Sequence, residues 1–243
     1  MNLHHGARAR VAATVNLDGV NIVNKKALSI ACAGLFGLGL GMSASITPAL
    51  AATSTAAPSA AAAATAPKLH KAMRSLWHGH IVTTRDYALA TFAGDRAKAT
   101  KAADAVVANA KEIAAAVAGF YGKDAGDSLL ELLAGHWAAV QALTDAAKAK
   151  KSAAEEKAMT DLGVNAGEIA KFLAGANPNW TESDLQGALV MHGGDHRQQV
   201  DLMASKAPQA QQAKAWSEMQ KHMDMIADVL ASGIAKQFPA KAS

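Results

Sequence analysis

Hydrophobic residues beyond position 68 recur at intervals of three and four, the period of helices that are buried on one side. Alternation between apolar and polar residues, which strands require, is almost absent. Capping residues, glycines and prolines divide this region into six predicted helices, at about 69–92, 97–118, 124–150, 152–175, 181–206 and 208–238. The predicted N-terminal caps are Asp124 or Asp127 for the third helix, Ser152 with Glu155 for the fourth, and Thr181 with Asp184 for the fifth. The helical period also places Val229 on the buried face of the sixth helix. We therefore expect an all-α fold: a compact bundle of about six helices, with a four-helix-bundle-like core plus extra helices.

The first 51 residues follow a different pattern. A basic edge at Lys25 and Lys26 precedes an apolar run, which is followed by Ala49-Leu50-Ala51, as in a secretory signal with its cleavage site. The run is rich in Gly, Ala and Ser and is therefore less apolar than a membrane anchor. We expect a cleaved signal segment at 1–51, a linker of Ala, Thr, Ser and Pro at 52–68, and a helical domain at 69–239. The protein would be exported to a periplasm, a cell wall or the medium, with no stable membrane insertion after cleavage.

Composition excludes several classes of function. The single cysteine, Cys32, lies in the apolar run, so the mature protein would have no disulfide, no cysteine-type metal site and no covalently attached haem. Residues 1–51 hold four of the 24 basic groups and one of the 20 acidic groups, which leaves the mature chain close to neutral. No cluster of Lys and Arg forms the basic stripe of a nucleic-acid-binding surface, so we expect no nucleic-acid partner.

Four of the predicted helices carry a histidine on the face that should be buried: His80, His136, His192 and His222. Each lies well inside its helix, so helices packed side by side would bring the four into one layer of the bundle. Neutral imidazoles offer each other at most one proton per pair, and buried nitrogens would go unsatisfied. A bound metal ion would satisfy them, and the sequence therefore predicts a metal site.

A short motif adds two auxiliary candidates. His192 and His196 are four residues apart on one helical face and can bind one ion together, while Asp195 could be a ligand or a partner for an imidazole N–H. His70 and His78 are assigned to the surface. Glycines beside the core histidines leave room for a ligand or a closely packed backbone, or are chance in a Gly-rich chain. Four methionines near these histidines are suited to Cu(I) or to core packing: Met191, Met219, Met223 and Met225.

Scattered motifs resemble a little-characterised bacterial family of histidine-containing helical-bundle proteins. They are Leu76-Trp77-x-x-His80, the helix of His136, Asn177-Pro178-x-Trp180 followed by His192, His222 ahead of Ala227-Asp228, and Gly233-Ile234-x-Lys236-Gln237-Phe238. The resemblance covers most of residues 69–239. It implies that the four core histidines act as a set, whereas His196 is not part of the pattern. It implies no substrate.

These observations favour a binding protein that holds a transition metal, zinc or copper, for storage, buffering or sensing. An enzyme with an open metal position and a b-type haem protein with two facing histidine ligands are alternatives. A di-iron centre is not expected, because no Glu lies three residues before a core histidine. A metal-free interaction protein, with the histidines as a polar core layer, is the third class.

The predicted signal segment gives the first testable expectation. N-terminal sequencing of the exported product should begin at about Ala52, since cleavage follows the small residues at the signal's end. An exported product that still contains Cys32 would contradict the assignment.

Overall fold

The computed structural model describes residues 66–242, and every regular element within this range is a helix, which confirms the all-α prediction. The helices are α1 (Pro67–Ala93), α2 (Arg96–Tyr121), α3 (Lys123–Lys148), α4 (Ser152–Ala176), α5 (Glu182–Ala204), α6 (Gln209–Gln237) and the short α7 (Pro239–Ala242). The last of these was not predicted. The predicted signal segment 1–51, with Cys32, and the linker as far as residue 65 lie outside the described residues. The helical region extends slightly past the predicted limits of 69 and 239.

Local chemistry explains most of the helix ends. Gly94 closes α1 in a left-handed conformation, with φ of 78°, and Gly122 follows α2 with φ of 91°, where a side chain would be strained. The carboxylate of Asp95 accepts a hydrogen bond from the backbone N–H of Lys98 at 3.0 Å. Thr181 caps α5 as predicted, accepting from the N–H of Asp184.

Two predicted caps are wrong. Neither Asp124 nor Asp127 precedes α3, because the helix begins directly after Gly122 and includes both residues. Ser152, predicted to open a capping box with Glu155, is already the first residue of α4. The chain between α3 and α4 is only three residues long, with Lys150 at a positive φ of 55°, and this tight turn starts α4 one position early.

The six long helices form a closed ring of three hairpins. Short connections make consecutive helices antiparallel, and α6 returns to pack against α1. The helices α1, α3 and α5 also pack against one another, so they form the inner layer, while α2, α4 and α6 each bridge two inner helices from outside. The three inner helices run in the same direction, and residues at equal depth in them meet at the centre of the ring.

The ring reflects an internal repeat of the sequence. Residues 73–120 align with 129–176 without a gap, and Asn109-Ala-Lys-Glu-Ile113 matches Asn165-Ala-Gly-Glu-Ile169. His80, His136 and His192 follow one another at intervals of 56 residues, one on each inner helix. The third hairpin has one extra residue after His192. His222 therefore stands where the first two hairpins have Asn109 and Asn165.

Each asparagine joins the two helices of its hairpin by a hydrogen bond. The side-chain amide of Asn109 donates to the carbonyl of Leu76 at 3.0 Å, and that of Asn165 donates to the carbonyl of Leu132 at 3.0 Å. A Cβ atom added at Gly79 would lie 2.8 Å from the Asn109 nitrogen. A Cβ atom at Gly135 would lie 3.3 Å from that of Asn165. These two glycines therefore make room for an amide on the neighbouring helix, rather than for a ligand beside the imidazole.

Apolar residues from all six long helices fill the interior, and the largest cluster includes Trp77, Leu133, Ile169, Met219 and Ile226. Val229, which the helical period placed in the core, is instead 52 % exposed. None of the helices in residues 66–242 combines the length and apolar character that crossing a lipid bilayer requires.

Substitution of a tightly packed glycine tests this packing. A Cβ at Gly233 would overlap the indole of Trp180, whose N–H donates to the carbonyl of Val229 at 3.1 Å. Gly233→Ala should therefore lower the free energy of unfolding by about 1–3 kcal/mol through overpacking. Chemical denaturation would measure the change.

The matched control is Gly163→Ala, where an added Cβ meets no atom within 4 Å. That variant should be more stable than the wild type by about 0.4–1 kcal/mol, because alanine restricts the unfolded chain. Equal stabilisation by both substitutions would show that the indole does not occupy this position.

Candidate metal centre

Four buried imidazoles converge at the centre of the ring. His80 comes from α1, His136 from α3, and His192 and His196 from successive turns of α5. One ring nitrogen of each lies within 4.8 Å of those of the other three. No residue of this set is more than 6 % exposed. The structure therefore places a group of four potential metal ligands in the interior of the ring.

The shortest separations match those between ligands on one ion. The Nε2 atoms of His192 and His196 are 3.1 Å apart, and those of His192 and His80 are 3.4 Å apart. Imidazole nitrogens bind zinc at about 2.0–2.1 Å, so two corners of a tetrahedron are about 3.3 Å apart. Small movements of the side chains would complete a tetrahedral site.

Hydrogen bonding within the protein does not satisfy these rings. His192 Nε2 faces two other Nε2 atoms, yet a neutral ring nitrogen can only donate one proton or accept with one lone pair. The remaining nitrogen of His192, Nδ1, is buried with no hydrogen-bond partner, and so is Nε2 of His136. The side-chain oxygens of Asn109 and Asn165 are unpaired as well. Such a concentration of unsatisfied buried atoms is costly, and a cation bound to the nitrogens offsets that cost.

Burial keeps the rings in the form that binds metal. Desolvation, with a further contribution from His136, lowers the pKa of His80 to about 3. Desolvation lowers the pKa of His136 to about 4, although the Asn165 side chain acts in the opposite direction. Burial first, and neighbouring imidazoles second, lower the pKa values of His192 and His196 well below the ordinary 6.5. All four are neutral at pH 7 and have lone pairs to offer.

The remaining predicted ligands lie beside this group. His222, expected to be a primary ligand, is buried on α6, with its ring 6.4 Å from that of His192 between centroids. Its Nδ1 pairs with Asp195 Oδ2 at 2.7 Å. His196, expected to be auxiliary, is inside the group instead. The geometry therefore groups His196, rather than His222, with the other three imidazoles, and Asp195 contacts the imidazole of His222.

The histidines assigned to the surface lie away from the centre. His78 is exposed and its ring packs near Trp216, while partly buried His70 pairs with Asp228 at 2.9 Å. The methionines are divided: Met219 and Met223 are buried, whereas Met191 and Met225 are 58 % and 59 % exposed. The group of four ligand candidates contains no thioether.

Two cavities border the centre on different sides. A large one, of about 510 Å³, is lined by His80, His136, His192 and His222 and reaches the surface between α5 and α6. A small one, of about 10 Å³, is lined by His196 together with Thr84 and Gln199. The first is ligand-sized, and the second has about the size of one water molecule. The centre is therefore closed on the His196 side and accessible on the other.

No family model, curated protein or solved structure matches this chain. The resemblance to a histidine-containing bundle family thus stays a prediction, and the chemistry of the site rests on its own residues. One sequence signal was overlooked: the constant 56-residue interval joining three of the four histidines.

The lowered pKa values predict an acid-sensitive fold. The unfolded chain takes up protons below pH 6.5 while the buried rings stay neutral until about pH 4 or lower. Each such histidine should therefore cost the metal-free protein about 1.4 kcal/mol of stability per pH unit within that window. Urea unfolding between pH 7.5 and 5, in the presence of a chelator, measures the slope.

His136→Leu removes one of these groups and should make the slope shallower, while His78→Gln should leave it unchanged. Identical slopes for wild type and His136→Leu would mean that His136 is solvated or charged in the folded protein.

Proposed function

We propose that this protein is an exported metal-binding protein that holds one transition-metal ion through His80, His136, His192 and His196. The supporting observation is the convergence of four neutral, buried imidazoles, with nitrogens 3.1 and 3.4 Å apart. A polar core layer without metal would be expected to pair its nitrogens with hydroxyls, amides or carboxylates. Here the nitrogens approach one another instead.

Zinc is the ion that the donor set favours. Four neutral imidazoles in a tetrahedral arrangement suit zinc, which has no directional preference of its own. Copper(II) prefers a planar arrangement, and copper(I) prefers sulfur, which the four imidazoles do not provide, although the buried Met223 lines the cavity beside them. A b-type haem needs two histidines on opposite faces of a large ring, whereas here four rings crowd around one point. Copper and haem are therefore secondary candidates.

Access to the site favours exchange over storage. One ion per chain is a small capacity for a storage protein, and the large cavity leads directly to three of the four imidazoles. We infer buffering or sensing of the ion as the role. An open-site enzyme is the alternative, since loss of one protein ligand would leave a coordination position facing the cavity.

Export and family membership belong to the same proposal. The basic edge, the apolar run and Ala49-Leu50-Ala51 support export, and a cysteine-free site is insensitive to an oxidising compartment. The scattered motifs around His80, Trp180 and His222 support the histidine-containing bundle family.

Zinc titration of the chain without its first 51 residues and without a histidine tag tests the metal site. Wild type should bind one equivalent against a competing chelator. His136→Ala and His192→Ala should each weaken binding by more than about 100-fold, because changes in residues that merely support a ligand already cost 10–100-fold. His78→Ala, at an exposed position, is the matched control and should bind like the wild type.

The same titration distinguishes the ligand role that we propose for His196 from the supporting role that we propose for His222. His196→Ala should resemble His192→Ala, while His222→Ala should cost about 10–100-fold or less, as for a supporting residue. A larger loss in His222→Ala than in His196→Ala would restore the ligand set that the sequence predicted. A wild-type protein that binds no zinc, copper or iron would contradict the proposal.

A further inference from the structure

We propose that the large cavity is a binding pocket for a small amphiphilic molecule: an apolar body with one metal-coordinating head group, such as a carboxylate, a hydroxamate or an azole. This inference rests on the proposed metal site, because the head group would join the four imidazoles as a fifth ligand of the ion, on the side that faces the cavity. Zinc in proteins can expand from four to five ligands in this way. The cavity's volume of about 510 Å³ lies in the range of small-molecule sites.

The walls of the cavity favour a ligand with an apolar body. Leu133 on α3, Ile169 and Leu173 on α4, and Ile226 and Leu230 on α6 line the cavity, and all five are buried. Apolar surface that leaves water for such a pocket contributes favourably in proportion to its area. No Lys or Arg lines the cavity, so an acidic head group would find no cation among its walls.

The imidazoles at the inner end of the cavity would hold the head group. His80, His136 and His192 line the inner end, and His222 lies beside them with its Nδ1 held by Asp195. Fixing Nδ1 leaves Nε2 of His222 as that ring's remaining hydrogen-bonding atom. A ligand whose head group reached the ion would therefore meet a second polar contact at His222, and its apolar body would extend toward the entrance.

Exposed apolar residues lie at the entrance of the cavity, which is also lined by four exposed polar residues: Asn179, Thr181, Ser183 and Asp184. Met191, Met225 and Val229 are each more than half exposed, and all three border the cavity. Exposed apolar residues at the mouth of a ligand-sized cavity mark a binding groove more often than isolated ones do. They would cover the part of the ligand that the cavity does not enclose.

Three probes separate the contributions of head and body. Octanohydroxamate has both, acetohydroxamate has the head alone, and octanamide has the tail with a head that coordinates poorly. Binding to the zinc-loaded chain, measured by calorimetry, should be at least about 10-fold tighter for octanohydroxamate than for either partial probe. The metal-free chain should lose this preference for the hydroxamate head.

Filling the cavity should remove the contribution of the tail. Ala188→Trp places an indole in the wall, and Leu133→Trp does so deeper, in case the first variant does not fold. Either should retain zinc but bind octanohydroxamate no better than acetohydroxamate. Ala138→Trp, on the exposed face of α3, is the matched control and should keep the 10-fold preference.

The two proposals fail in different ways. A wild type that binds no metal would overturn the metal site itself. A wild type that binds zinc but shows equal affinity for octanohydroxamate and acetohydroxamate, or whose preference for the longer probe survives both cavity-filling variants, would overturn the pocket alone.

Discussion

A buried imidazole needs a partner for each nitrogen, and this constraint governs the centre of the molecule. Four such rings meet where the protein offers few donors or acceptors, and two ring nitrogens, on His136 and His192, have no partner among the described residues. Desolvation keeps the rings neutral, so charge repulsion does not drive them apart. The surrounding packing holds together a group of side chains that would individually favour water, and their lone pairs lie close enough to share one cation.

The hairpin repeat explains how three of these rings arrive at one depth. His80 and His136 lie equally far from the start of α1 and α3, and parallel inner helices bring equal depths together. The amides of Asn109 and Asn165 hold the outer helices of their hairpins in register. The third hairpin departs from this scheme. His222 stands in place of the asparagine and pairs with Asp195, and His196 adds a second ring from α5.

Helical periodicity and depth were sufficient to predict the fold class, the six long helices and a central layer containing His80, His136 and His192. They could not decide whether His196 or His222 joins the central group, because a few tens of degrees of helix rotation determine which ring faces the centre. They also placed Val229 in the core, since periodicity cannot show where neighbouring helices separate around a cavity. The glycines at 79 and 135 suggested space beside an imidazole, but only the three-dimensional structure shows an asparagine from the next helix there.

The asymmetry of the centre connects the metal site to the cavity. If the helices had closed over the imidazoles on every side, an ion could leave only when the bundle opened. The two helices of the third hairpin instead separate from each other on one side, where His222 and the exposed Met191 and Met225 border the opening. His196 closes the opposite side, next to a space no larger than one water molecule. The departures of the third hairpin from the repeat therefore have two effects: they supply the fourth imidazole, and they leave the other three facing a cavity that reaches the surface.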